Sequence, residues 1–229
     1  MKTIGLIGGM SWESTLPYYR HINEAVRERL GGLHSARLVL YSLDFQAIET
    51  LQREGDWQRA GELLGEAAQA LQRAGADFLV LATNTMHKVA DAIAAASDLP
   101  LLHIAEPTAA AVRAASLSRV ALLGTRFTME QDFYRERLQR HGLQVLIPEQ
   151  DERLLIHRII YEELCQGRVR EESRQAYRQV VANLVARGAE GVVLGCTEIG
   201  LLLRAEDAEV PLFDTCLLHA RAAAARALA

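Results

Sequence analysis

Short apolar runs recur along the chain, separated by amphipathic segments of helix length. They are IGLIG from residue 4, LVLYSL from 38, FLVLA from 78, LLHI from 101, VALLG from 120, VLI from 145, VVLG from 192 and PLF from 211. This alternation predicts a mainly parallel sheet with helices on both faces, so the fold class is α/β.

The intervening helices have legible ends. WQRAGELLGEAAQALQRAG follows Asp56, carries Ala60, Leu63, Leu64, Ala67 and Leu71 at helical spacing, and stops at Gly75. A second helix is expected to start at Thr128, with Gln131 completing a capping box, and to end at Gly142. A third covers ESRQAYRQVVANLVARG and stops at Gly188.

The two halves of the chain repeat. GLIGGMSWESTLPYYRHI from Gly5 aligns with ALLGTRFTMEQDFYRERL from Ala121, ADFLVLATNT from Ala76 with AEGVVLGCTE from Ala189, and PLLHIAEPTAAAV from Pro100 with PLFDTCLLHARAA from Pro211. The same order of matches in both halves predicts an internal duplication. The expected organisation is two pseudo-symmetric parallel-sheet domains, 1–115 and 116–210, with 211–229 packing back on the first. The other source of such likeness is the generic Gly and Ala content of βα units. Ligands of parallel sheets bind beyond the carboxyl ends of the strands, which points to an active site in a cleft between the domains.

Composition narrows the function classes. A formal net charge of −4 and a pI near 6.0, without basic runs interleaved with aromatics, argue against a nucleic-acid partner. The opening MKTIGLIGGMSW breaks at Gly8-Gly9 and reads as a first strand rather than a leader, and no window has the roughly 18 apolar residues of a membrane span. A soluble, cytoplasmic protein is expected. Three widely spaced cysteines, Cys165, Cys196 and Cys216, without a C-x-x-C pattern, read as free thiols with no metal site.

The alignment sets Thr83 opposite Cys196, Asn84 opposite Thr197, and Thr85 opposite Glu198. Each group follows an apolar strand and precedes what reads as a helix start. A thiol there would face backbone N–H donors and the positive end of a helix dipole, which favours thiolate over the free value of roughly 8.5. Cys196 is therefore the candidate nucleophile or base; the plainer reading is a small buried hydrophobe at a strand end. Cys165 and Cys216, in a helical run and at the start of the last helix, read as packing residues.

With ATNTMH from residue 82, GCTEI from 195 and IGGMSWEST from 7, the chain resembles the aspartate/glutamate racemase family over essentially its whole length. The family pattern has cysteine at both strand ends. This chain departs from it at Thr83, as do relatives that resemble L-aspartate/L-glutamate racemases. The resemblance implies a cofactor-independent racemase with a small-molecule amino-acid substrate, forming a homodimer. It places Met10, Gln52, Asn84, Thr85 and Thr197 in the substrate pocket, and either Arg168 or Arg170 at the distal carboxylate. Asn84, Thr85 and Thr197 offer donors beside helix N-termini, where a carboxylate is favoured. Helix capping is the other use of Thr85 and Thr197, and packing that of Met10. His87 and His103, near the first motif, read as hydrogen-bonding residues rather than as acid or base.

Racemisation needs a base on one face of the α carbon and an acid on the other, which a duplicated cleft supplies. The expectation is that Cys196 removes the α proton and Thr83 returns one from the opposite side. No phosphate-cradling glycine motif points to a Schiff-base cofactor. Two alternatives stand: a single-cysteine decarboxylase of malonate-type acids, and a non-catalytic protein that binds an acidic amino acid. Hydantoin racemases and maleate isomerases resemble this fold too, but typically use the second cysteine that is missing here.

Overall fold

The computed structural model describes all 229 residues. They form two compact units, one of Met1–Ile104 with His219–Ala229 and the other of Ala105–Leu218.

The first unit runs β1 (Ile4–Gly8), α1 (Trp12–Leu30), β2 (Leu38–Ser42), α2 (Phe45–Glu54), α3 (Trp57–Arg73), β3 (Phe78–Leu81), a 3-10 turn (Thr85–Val89), α4 (Ala90–Ala96) and β4 (Leu101–Leu102). Its four strands are parallel in the order β2-β1-β3-β4. Every residue of the central strands β1 and β3 is buried, as continuous apolar runs covered on both faces should be. Ile7, Leu79 and Leu81 pack with Ile48, Leu64, Ala67 and Leu71 into one apolar core.

The second unit runs α5 (Ala105–Ala114), β5 (Arg119–Gly124), α6 (Arg126–Glu130), α7 (Asp132–Arg140), β6 (Gln144–Leu146), α8 (Gln150–Glu162), a 3-10 turn (Leu164–Gln166), α9 (Glu171–Ala186), β7 (Gly191–Gly195), α10 (Ile199–Leu202), a 3-10 turn (Ala205–Asp207) and β8 (Leu212–Asp214). The last helix, α11 (Thr215–Leu228), begins here and continues into the first unit. The sheet is again parallel, in the order β6-β5-β7-β8. The three repeated segments thus fall on β1 and β5, β3 and β7, and β4 and β8, which hold equivalent places in the two sheets. The two-sheet α/β architecture read from the sequence is the one observed.

Helix ends follow their signals except at two places. Asp56 accepts from the Arg59 N–H at the start of α3, and Gly75 and Gly188 take positive φ beyond α3 and α9. The helix expected from Thr128 instead starts at Arg126, because Thr125 reaches the Thr128 N–H first, at 3.3 Å. It breaks where Gln131 turns extended, and α7 resumes after it. The second departure follows Cys196, where a helix was expected and α10 is a single turn of four residues, ended by extended Leu203.

Candidate active site

In the first unit, β1 and β3 are neighbours in register, so their carboxyl ends lie side by side. Beyond β1, Gly9 takes a φ of +87°, and a Cβ there would collide with the Leu43 backbone. Thr15 pins this turn, its Oγ1 accepting from the Gly9 N–H and donating to the Ser11 carbonyl, both at 2.9 Å. Met10 follows Gly9 and packs in the apolar cluster with Ile48 and Met86.

Beyond β3, the Ala82 N–H donates to the Ile7 carbonyl and the Thr83 N–H to that of Leu81, each at 2.9 Å. Thr83, Asn84 and Thr85 are all buried. Gln52, buried near the end of α2, donates its amide to Met86 Sδ at 2.9 Å. Met86 thus links Gln52 to the Thr83 turn and shares its cluster with Met10. The first unit gathers Met10, Gln52, Thr83, Asn84 and Thr85 around the ends of β1 and β3.

Behind Thr83 lies a group of histidines. His87 Nδ1 is 2.7 Å from the Thr83 carbonyl, and His87 Nε2 accepts from the Ile104 N–H at 3.2 Å. The ring of His103 is 4.3 Å from that of His87 and the ring of His219 6.0 Å. His219 Nε2 donates to the Leu102 carbonyl at 2.8 Å, leaving Nδ1 to accept from the Tyr18 hydroxyl at 2.9 Å. Complete burial pushes His219 down to about 4.

The second unit repeats the arrangement with different chemistry. Gly124 and Gly195 are register partners at the ends of β5 and β7. A Cβ on Gly195 would lie 2.6 Å from Leu122 Cδ1 and 2.8 Å from the Leu123 carbonyl oxygen, and one on Gly124 2.7 Å from the Gly195 oxygen. Glycine lets the two strand ends approach this closely. Cys196 comes next, 7% exposed, in an apolar cluster with Tyr177, Ile156 and Ile199.

Cys196 Sγ donates to Glu198 Oε2 at 3.0 Å, and Thr197 Oγ1 donates to the same oxygen at 3.0 Å. The Thr197 hydroxyl therefore turns to Glu198 rather than to a helix N–H. Burial raises the Cys196 thiol well above its ordinary value, and the negative charge of Glu198 and a contribution from Cys165 add to it. The sequence expectation of a favoured thiolate is thus reversed. A helix of one turn has little dipole to offer, and a carboxylate at hydrogen-bond distance outweighs it.

Glu198 is the functional candidate that sequence reasoning missed. The available signal was Cys-x-Glu directly after a strand, two residues apart around a tight turn. Cys165 is half-buried against the cluster that holds Cys196, and Cys216 is buried at the start of α11. Arg168 and Arg170 are exposed, with Arg170 3.9 Å from Glu163. No group of three or more His, Cys, Asp or Glu side chains is placed to hold a metal ion. No helix is long and apolar enough to cross a membrane.

Thr83 and Cys196 stand at corresponding positions, one in each unit, after the equivalent strands β3 and β7. Solved relatives share this plan. A Yersinia pestis protein described as a candidate Asp/Glu racemase is 57% identical, with a TM-score of 0.92 and full coverage of both chains. An aspartate racemase homologue from Pyrococcus horikoshii is 36% identical, with a TM-score of 0.85 and the same coverage. The broad specificity amino-acid racemase RacX of Bacillus subtilis is 23% identical over 99% of this chain and 98% of its own. The profile of the Asp/Glu/Hydantoin racemase family matches residues 7–223, and this chain belongs to that family.

Proposed function

We propose that the protein is a cofactor-independent racemase of aspartate, glutamate or a related amino acid, with Cys196 as base and Thr83 as proton donor. The observation that carries this reading is the Cys196 thiol donating to Glu198 after β7, matched by a hydroxyl residue, Thr83, after the equivalent strand β3. The names of the relatives support the same reaction class.

In the forward direction Glu198 accepts the thiol proton, and the thiolate takes the α proton of the L-amino acid. The electron pair left on carbon is delocalised into the substrate carboxylate. Thr83 then protonates the opposite face, its alkoxide recovers a proton from solvent, and Glu198 returns the thiol proton to solvent. Asn84, Thr85 and, through its backbone N–H, Thr197 contribute donors for the substrate carboxylate, and Met10 and Gln52 shape the wall on the Thr83 side. The reverse reaction requires Thr83 as base, which is the harder task for a hydroxyl. Because the equilibrium constant is one, kcat/KM is equal for the two enantiomers, and any asymmetry lies in kcat and KM together.

The test is proton NMR of L-aspartate and L-glutamate with the protein in deuterium oxide, paired with chiral analysis. Loss of the α-proton signal with appearance of the D-enantiomer is expected. Cys196→Ala should abolish exchange while keeping binding by calorimetry. No exchange by active, reduced protein would overturn the proposal.

A further inference from the structure

Thr83 can deliver a proton to one face of a carbon atom only if its peptide is held in one orientation. The peptide before its Cα is held by a backbone bond, from the Thr83 N–H to the Leu81 carbonyl. The peptide after its Cα is held by His87. The Thr83 carbonyl can only accept, so His87 Nδ1 carries the proton; the Ile104 N–H can only donate, so Nε2 carries the lone pair. One tautomer alone satisfies both partners, and the buried ring clamps the Thr83 turn to the chain leaving β4.

That anchor is itself secured. His219 donates to the Leu102 carbonyl two residues before Ile104, and Tyr18 of α1 donates to His219. We infer that His87 is a positioning residue for the proposed proton donor, fixing the peptide from which the Thr83 hydroxyl is aimed. This inference rests on the racemase reading above.

Asn and Gln separate the two halves of the clamp. His87→Asn places an amide donor near the Nδ1 position, within reach of the Thr83 carbonyl. His87→Gln places its amide nearer the Nε2 position, toward Ile104, and lets go of Thr83. The readout is a ratio, measured with L-substrate in deuterium oxide: α-deuterium in recovered L-substrate over D-enantiomer formed. When Thr83 is misaimed, the carbanion returns to the Cys196 side with solvent deuterium, so exchange persists while inversion falls.

His87→Gln should raise this ratio by about tenfold or more, a conservative figure beside the effect of a 1 Å misplacement, and His87→Asn should restore most of the parent value. A purely structural role would lower exchange and inversion together and leave the ratio unchanged, which would overturn the inference. Thr83→Ala separates the two levels. If it leaves the ratio unchanged, the role of Thr83 falls; if it shifts the ratio and His87→Gln does not, the positioning role alone falls. Should neither variant fold, nitrogen-15 NMR of the parent decides: the Nδ1–H tautomer of His87 is expected, and the Nε2–H tautomer would overturn the clamp.

Discussion

The Cys196 thiol donates to Glu198 Oε2 across 3.0 Å, within a turn only three residues long. The pair has two opposed consequences. The carboxylate stabilises the protonated thiol and so keeps the proposed base masked, yet it is also placed to take that proton.

Glu198→Gln separates these effects. Removing the charge should lower the Cys196 pKa, so the pH dependence of its alkylation by iodoacetamide, followed by peptide mass spectrometry, shifts to lower pH. Turnover should nevertheless fall, by about 10²-fold, the lower end of what a positioned proton acceptor contributes. A variant that turns over as fast as the parent would remove Glu198 from the proton path.

Gly195→Ala should destabilise the second unit, because its Cβ would meet the Leu123 carbonyl oxygen, a backbone atom, at 2.8 Å. Overpacking of this kind costs about 1–3 kcal/mol, readable as a lower urea midpoint. Activity should fall too, since Cys196 is the next residue. An unchanged midpoint would mean that the two strand ends separate freely.

His219 predicts an acid limb of stability. Its folded pKa, pushed down to about 4, lies below the ordinary unfolded value, so the unfolded chain binds the extra proton. Stability is therefore complete above about pH 6.5 and is lost as pH falls toward 4. Between pH 7 and pH 5 the parent should lose about 2 kcal/mol more than His219→Gln in urea unfolding. His87 and Tyr18, the titratable side chains in contact with His219, are common to both proteins. Parallel curves would show that His219 does not titrate between the two states.

The apolar runs located all eight strands. The central ones, β1, β3, β7 and all of β5 but Arg119, are buried on both faces and so read as apolar blocks. The equivalence of the two halves was legible through the repeat, though not the order of strands within each sheet. Local contests were not. Thr125 and Thr128 are both competent caps three residues apart, and only their relation to β5 decides between them. The short α10 was likewise hidden, since Leu203 turns extended with no glycine or proline directly after it to mark the stop. Of the chemistry, the strand-end location of Cys196 and Thr83 was readable. The protonation preference of Cys196 was not, because it depends on how deeply the thiol is buried and on where the Glu198 carboxylate turns. The clamp on Thr83 involves Ile104, whose N–H carries no signal in the sequence.

His87 grips the carbonyl oxygen of residue 83 and leaves its side chain untouched. The hold is therefore indifferent to what residue 83 is: a cysteine or a serine there would hang from the same tethered peptide with the same aim. The scaffold presents an address rather than a particular functional group, so the chemistry on this side of the reaction can be exchanged by a single substitution without rebuilding the turn that carries it.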